Sequence, residues 1–119
     1  MIKLKLHINL IFNKKLDIVT LLVTFWKLIK SFKHKGLEAF YETGTKKGIQ
    51  PDHASKLARI LDRLDASINP KDMNLPAFKL HELIGKDKNI WSVWVNGNYR
   101  VTFKFENEDA ILVDYRDYH

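Results

Sequence analysis

The feature that most constrains the fold is the tripeptide Asn96-Gly97-Asn98, which separates two runs of alternating apolar and polar residues. Asn and Gly tolerate the positive φ that a tight turn requires, so Asn-Gly between such runs is the strongest short-range signal for a β-hairpin. Residues 91–95 and 99–105 are therefore predicted to be antiparallel neighbours in a sheet.

The alternation also predicts the register of this hairpin. A two-residue loop at Asn96-Gly97 would oppose Val93 to Arg100. A three-residue loop at 96–98 would instead pair apolar residues throughout: Val95 with Tyr99, Val93 with Val101 and Trp91 with Phe103. We favour the longer loop because it buries one face of the sheet and leaves a polar, accessible face with Arg100 in its middle. That polar face carries Ser92, Trp94, Arg100, Thr102 and Lys104.

Before the hairpin, the spacing of apolar residues is helical. A short amphipathic helix is predicted over residues 34–43, ended by Gly44. Pro51 suits the first turn of a second helix, whose apolar residues continue at spacings of three and four as far as Ile68. Both helices thus have one apolar face to bury.

Two further strands flank the hairpin in sequence. Residues 78–83 alternate after a connecting loop at 72–77, and residues 110–115 follow a turn at 106–109. The sequence therefore predicts an α+β fold, with two N-terminal helices packed on one face of a roughly four-stranded antiparallel sheet.

The first thirty residues differ in composition from the rest. They hold six lysines against one acid and account for +5 of the net charge of +6, so residues 31–119 are almost neutral. Their apolar run, residues 18–26, is too short to span a bilayer, which takes about 20 residues. We expect residues 28–119 to be the functional domain and residues 1–27 to be a non-native upstream extension from a misplaced start. An extra helix and a membrane anchor are the alternatives for residues 1–27.

The composition excludes several kinds of functional site. Without cysteine there is no disulfide, no thiolate zinc ligand and no cysteine nucleophile, which fits a reducing compartment such as the cytoplasm. Glycine-rich phosphate loops, zinc-spaced histidine pairs and dinucleotide fingerprints are lacking. We expect neither a metal nor a cofactor, since the four histidines after residue 30 are widely scattered: His34, His53, His81 and His119.

A set of polar residues remains on or beyond the predicted sheet: His81, Arg100, Asp117, Tyr118 and His119. Phosphodiester cleavage by an RNA 2′-hydroxyl needs a base, an acid and a fixed cation. Imidazole titrates near neutral pH and guanidinium is a permanent planar cation, so these residue types suit the reaction. Taken singly, each residue has a plainer interpretation: a structural histidine, an arginine in a cross-strand ion pair, or a solvated tail.

These residues lie in sequence blocks that together resemble the HigB toxins of the RelE-like superfamily. The blocks occur in the family's order and at its separations: residues 31–37, 79–83, 91–103 and 114–119. Family members typically begin Met-Ile-Lys-Ser-Phe. Here the corresponding residues are Leu28-Ile29-Lys30-Ser31-Phe32, which favours Leu28 as the true start.

The resemblance implies a ribosome-dependent mRNA interferase, an endoribonuclease that cuts mRNA in the ribosomal A site and so inhibits translation. It also implies a HigA-like helix-turn-helix antitoxin as partner, and neither sequence-specific DNA binding by the toxin alone nor a membrane. The family's catalytic residues correspond to His81, Arg100, Asp117, Tyr118 and His119.

The chain departs from the family at Ile84, where many relatives have a lysine. Lys79 and Lys86 are predicted to replace it in binding substrate, and Lys79 is favoured because residues two apart in a strand share a face with His81. The loss leaves an alternative open: a catalytically weakened toxin homologue that acts mainly as an antitoxin- or ribosome-binding module.

Overall fold

The computed structural model describes residues 29–118, with the backbone alone at Asp87, so the predictions for residues 1–28 and for His119 lie outside the described part. Its helices are α1 (Lys35–Thr43) and α2 (Ala54–Asp65), and its strands are β1 (His81–Glu82), β2 (Trp91–Asn96), β3 (Tyr99–Glu106) and β4 (Asp109–Asp117). The strands form one antiparallel sheet in the order β1-β2-β3-β4. The predicted α+β class is confirmed. Within residues 29–118, no helix combines the length and apolarity needed to cross a membrane.

Helix α1 begins and ends where the sequence predicts. The Nδ1 atom of His34 accepts a hydrogen bond from the backbone N–H of Leu37 at 3.0 Å, which satisfies one of the donors left open at a helix start. Gly44 ends the helix with φ +80°, and its N–H donates to the carbonyl of Phe40 at 2.9 Å. Leu37 is fully buried, so the apolar side of α1 faces the core.

Helix α2 follows a single 3₁₀ turn, Pro51–His53, and ends at Asp65, three residues earlier than predicted. The carboxylate of Asp65 joins three parts of the chain. Its Oδ1 atom accepts hydrogen bonds from the hydroxyl of Tyr41 at 2.7 Å and from the backbone N–H of Ile29 at 3.2 Å. This contact ties the end of α2 to α1 and to the residues before α1.

One hydrophobic core contains the buried side chains of both helices and of the sheet. Burying a large aliphatic or aromatic side chain contributes about 1.5–3 kcal/mol, so this cluster is the main source of stability. Its fully buried apolar members are Leu37, Leu57, Ile60, Leu64, Met73, Val93, Val101, Phe103, Ala110 and Val113.

The prediction of a long first strand over residues 78–83 is wrong. Pro76–Phe78 forms a 3₁₀ turn that buries the ring of Phe78 in the core. Lys79 then takes a left-handed conformation with φ +50°, which no strand allows. Only His81–Glu82 pairs with β2. A second 3₁₀ turn, Pro70–Met73, overlaps the start of the loop predicted over residues 72–77.

The hairpin register is confirmed for two of its three predicted pairs. Val93 lies opposite Val101 and Trp91 opposite Phe103, but Tyr99 lies opposite Asn96 and not Val95. The register shifts by one residue between Trp94 and Asn96, so Val95 forms a β-bulge and the loop contains only Gly97 and Asn98. Gly97, with φ +54°, supplies the positive φ at the first position of this loop.

A second bulge shifts the register between β3 and β4. Glu106 lies opposite Asp109, whereas Thr102 lies opposite Asp114, one residue further along β4 than an unbroken register would give. Leu112 is the residue with positive φ, +54°, in this part of β4. The shift decides which residues near the end of β4 share a face with the middle of β3.

Residues 29–33 lie beside the outer edge of β4, which the sequence did not indicate. Isolated parallel bridges join Ile29 to Ala110 and Phe32 to Val113. The hydroxyl of Ser31 accepts a hydrogen bond from the backbone N–H of Leu112 at 2.8 Å. The carbonyl of Ser31 accepts one from the backbone N–H of Val113 at 3.0 Å. This segment therefore satisfies the bulged backbone of β4 and protects an otherwise exposed strand edge.

Candidate functional site

The polar face of the sheet carries two rows of side chains that run across the strands. In the first row His81, Ser92, Thr102 and Asp114 lie opposite one another, and in the second Trp94, Arg100 and Arg116 do. The face is polar as predicted, but it is not accessible throughout, because Ser92 and Thr102 are buried. Their short side chains form a floor between the longer ones.

Arg100 is fixed by the hairpin without losing its charge to a carboxylate. Its Nη1 atom donates to the carbonyl of Gly97 at 2.8 Å and to that of Tyr99 at 3.0 Å. Within residues 29–118 no ion pair involves Arg100, whereas Arg116, directly opposite, pairs with Asp114 at 3.2 Å. The plainer interpretation of Arg100 as a cross-strand ion pair is therefore wrong, and its guanidinium can bind an anion.

His81 lies on the same face at the edge of the sheet, and its side chain is exposed. Its Nδ1 atom lies 3.0 Å from the carbonyl oxygen of Lys79. Because a carbonyl oxygen only accepts, the neutral ring in this contact carries its hydrogen on Nδ1 and keeps Nε2 as a proton acceptor. His81 is two strands away from Arg100 and offset from it by two residues along the strands. With ordinary sheet spacing, the two Cα atoms are roughly 12 Å apart.

The C-terminal residues are divided between the two faces. The hydroxyl of Tyr118 accepts a hydrogen bond from Nη1 of Arg116 at 3.1 Å, so Tyr118 is on the face of Arg100. Its backbone N–H donates to the carbonyl of Asn98 at 2.9 Å, which holds the end of β4 against the hairpin loop. Asp117 lies opposite Tyr99, which belongs to the other face. His119, predicted to act with them, lies outside residues 29–118.

Arg116 completes the polar face next to Arg100. Although burial alone would lower the pKa of Arg116, its hydrogen bonds with Tyr118 and Asp114 raise it. Arg116 therefore stays charged and holds two neighbours in place. One of these neighbours, the hydroxyl of Tyr118, is thereby held on the face that carries Arg100.

A second cluster of polar and aromatic groups lies on the Asp117 side, and sequence reasoning missed it. Nδ1 of the buried His53 lies 2.6 Å from the hydroxyl of Tyr115, and its ring meets that of Tyr99 edge-on at 4.7 Å. His34 makes a similar edge contact with Tyr115 at 5.2 Å. The spacing of His53 from the apolar positions of α2 puts it on the buried stripe of that helix, and this signal could have identified it.

Two shallow cavities open beside this cluster and share Tyr99 and Asp117. One, of about 520 Å³, is also lined by His53 and the hairpin loop, and the other, of about 440 Å³, by His34, Lys47 and Gln50. Burial raises the pKa of Tyr115 above its ordinary value, so its phenol keeps its proton at neutral pH. This side of the sheet therefore carries Asp117 two residues from a buried, protonated phenol.

The predicted substrate-binding lysines lie in different surroundings from those expected. Lys79 does not share the face of His81 by strand alternation, because its backbone is left-handed, but its Nζ atom lies 4.6 Å from the ring centre of Trp94. Lys86 is exposed in the 3₁₀ turn Gly85–Asp87. Ile84 is 90% exposed, so the position of the family's lysine is open to solvent.

A family model and a named relative identify the family of this chain. The sequence model of the HigB-like toxin family matches residues 30–119. This family is described as the RelE-like toxin of the type II toxin–antitoxin system HigB. The Endoribonuclease HigB of Proteus vulgaris is 38% identical over 92 residues, which cover 77% of this chain and all of the relative. An uncharacterized protein of Haemophilus influenzae is 36% identical over 81 residues, covering 66% of this chain and 80% of the relative.

Proposed function

The chain belongs to the HigB-like family of RelE-like toxins from type II toxin–antitoxin systems, and we propose that it inhibits translation by cutting mRNA in the A site of the ribosome. Its activity is that of an endoribonuclease, and its family implies an antitoxin as partner. A HigA-like helix-turn-helix protein is the antitoxin that we propose, and action on ribosomes places the toxin in the cytoplasm.

The observation that carries the proposal is the uncompensated charge of Arg100. A guanidinium fixed by two backbone carbonyls and unpaired within residues 29–118 is ready to hold the phosphate that is cleaved. As the 2′-oxygen attacks, negative charge grows on the phosphoryl oxygens. A cation already in place stabilises that charge more than it stabilises the bound substrate, and the barrier falls.

The reaction needs two proton transfers besides this cation. The 2′-oxygen bonds to phosphorus while the bond from phosphorus to the 5′-oxygen breaks, leaving a 2′,3′-cyclic phosphate and a 5′-hydroxyl. One group takes the proton from the 2′-hydroxyl, and another gives a proton to the leaving oxygen. His81 or Asp117 is the base in this proposal and His119 the acid. The proton acceptor at Nε2 of His81 supports the first role.

Asp117 and Tyr118 act from the end of β4 in this proposal. Tyr118 lies beside Arg100 through its hydrogen bond with Arg116, which suits a hydroxyl that orients the phosphate. Asp117 faces the cluster around Tyr99, so it takes part if the RNA strand passes around the end of the sheet. Lys79 and Lys86 bind the RNA backbone.

The test is cleavage of a defined message on programmed ribosomes and as naked RNA. We expect cuts within the A-site codon on ribosomes alone. Arg100→Ala should lower kcat by about 10²–10³-fold, as loss of a fixed transition-state donor does elsewhere. Arg100→Lys should restore little, because lysine lacks the planar fork. Lys71→Ala, an exposed change of equal charge, is the control, and an Arg100→Ala variant as active as this control would overturn the site.

A further inference from the structure

Three cationic side chains gather near Trp94, the residue opposite Arg100, and only one of them, Lys79, already belongs to the proposed site. The Nζ atom of Lys56, from the first turns of α2, lies 5.1 Å from the ring centre of Trp94, and that of Lys79 lies 4.6 Å from it. Lys56 also lies 5.3 Å from the ring of Phe78. Arg59 follows one turn after Lys56 on the same side of α2.

These charges are brought together without a carboxylate to neutralise them. Burial, and then the charges of Arg59 and Lys79, lower the pKa of Lys56. Within the described chain no ion pair involves Lys56, Arg59 or Lys79, and Lys56 has one hydrogen bond, to the carbonyl of Ala77 at 3.1 Å. An ammonium group has three donors, so those of Lys56 are not all used. Like charges held close together favour the binding of an anion.

Trp94 fixes this cluster relative to Arg100. The indole Nε1 of Trp94 donates to the carbonyl of Gly97 at 3.2 Å, and Nη1 of Arg100 donates to the same oxygen at 2.8 Å. The two residues also lie directly opposite each other on β2 and β3, where Cα atoms are about 5 Å apart. An anion bound at the lysines therefore lies next to an anion bound at Arg100.

We propose that Lys56 and Lys79, held together over the ring of Trp94, bind a phosphate of the mRNA strand next to the phosphate that Arg100 holds. This inference rests on the proposed function. The negative face of the indole ring attracts both ammonium groups and offsets their mutual repulsion, so Trp94 is a positioning residue. Because Trp94 and Arg100 share the carbonyl of Gly97, we assign this phosphate to the strand being cut. The cluster also supplies cations to a site that lacks the family's lysine at Ile84.

The test measures kcat and KM separately on programmed ribosomes, with the full chain. Lys56→Ala/Lys79→Ala should raise KM about tenfold or more, the loss expected for charge-assisted hydrogen bonds, and should change kcat little. Trp94→Leu should raise KM in the same direction, and Trp94→Phe should recover part of the loss. Lys71→Ala, in the 3₁₀ turn Pro70–Met73 that follows α2, is the control and removes one positive charge from an exposed lysine. Thermal unfolding of each variant confirms that the fold is intact.

Two further messages locate the phosphate that Lys56 and Lys79 bind. One carries a neutral methylphosphonate at the linkage before the cut, and the other carries it at the linkage after the cut. One of the two neutral linkages should raise KM for the unchanged chain and abolish the difference between it and the double variant. If the KM of the double variant equals that of Lys71→Ala, the inference is wrong. It is also wrong if the ratio of KM between the double variant and the unchanged chain is the same on the unmodified message and on both methylphosphonate messages, as binding to ribosomal RNA would give. If the unchanged chain cuts no message, the proposed function fails and this phosphate site fails with it.

Discussion

The hydroxyl of Tyr115 lies 2.6 Å from Nδ1 of His53, in a buried contact between residues 62 positions apart. The backbone N–H of Gln50 also approaches this hydroxyl, at 3.4 Å. The hydroxyl oxygen can accept from Gln50 and still hydrogen-bond to the imidazole, because a hydroxyl has one donor and two lone pairs. The contact joins the start of α2 to the end of β4, two residues before Asp117.

The raised pKa of Tyr115 predicts a loss of stability in alkali. A phenol whose pKa is higher in the folded chain than in the unfolded chain stabilises the fold below the unfolded value, about pH 10, and this contribution is lost as the pH rises through the folded value. The unchanged chain should therefore exceed Tyr115→Phe in free energy of unfolding by a constant amount up to about pH 9. The difference should shrink above about pH 10, as urea unfolding at several pH values would measure. Parallel curves up to pH 11 would contradict this.

Leu112 predicts a substitution that stabilises the chain. Its φ of +54° is costly for a residue with a Cβ atom, and its side chain is 40% exposed, so little burial is lost on its removal. Leu112→Gly should raise the free energy of unfolding by about 1 kcal/mol. Leu112→Ala keeps the Cβ atom and should not gain stability. Equal urea midpoints for the two variants would show that the left-handed backbone carries no cost.

Thr102 carries a buried hydroxyl that has no hydrogen-bond partner among the described residues. Thr102→Val removes the polar atom and keeps the shape, so its stability should equal or exceed that of the unchanged chain by up to about 1 kcal/mol. Thr102→Ala instead leaves a small cavity and should lose about 1 kcal/mol. A loss on substitution by valine as large as that on substitution by alanine would reveal a partner for the hydroxyl.

Ile84 offers a gain of activity. Because its side chain is 90% exposed, substitution should change the free energy of unfolding by less than about 0.5 kcal/mol. Ile84→Lys restores the cation that the resemblance to HigB toxins predicts there, and kcat/KM on programmed ribosomes should rise about tenfold, the value of one charge-assisted contact. Ile84→Ala should cut like the unchanged chain. A lysine variant no faster than the alanine variant would mean that this chain does not use a cation at position 84.

The sequence predicted those parts of the fold that depend on nearby residues. Alternation around the hairpin loop placed Arg100 on the polar face, and the helical spacing located α1 and α2. The strand predicted over residues 78–83 failed because the core anchors Phe78 and its packing overrides the local alternation. Such packing brings together residues that are distant in sequence, which a local pattern does not contain.

The site was harder to predict because the register between β3 and β4 decides which side chains of β4 lie on the same face as Arg100. With an unbroken register from the pair of Glu106 and Asp109, Arg100 would lie opposite Tyr115 and would share its face with Asp117. The bulge in β4 moves the register by one residue, so Arg100 lies opposite Arg116 and shares its face with Tyr118. The sequence of β4 does not predict this bulge. The residue with positive φ there is Leu112, and leucine rarely adopts a positive φ.

The contact between Ser31 and Leu112 also has a consequence for the order of folding. The hairpins close over short stretches of chain, whereas this contact joins residues 81 positions apart and has a larger loop-closure cost. Because it supports the bulge that gives Tyr118 its face, the side chains around Arg100 take their final arrangement only when the whole domain has been synthesised. The arrangement around Arg100 therefore depends on residues from both ends of the domain.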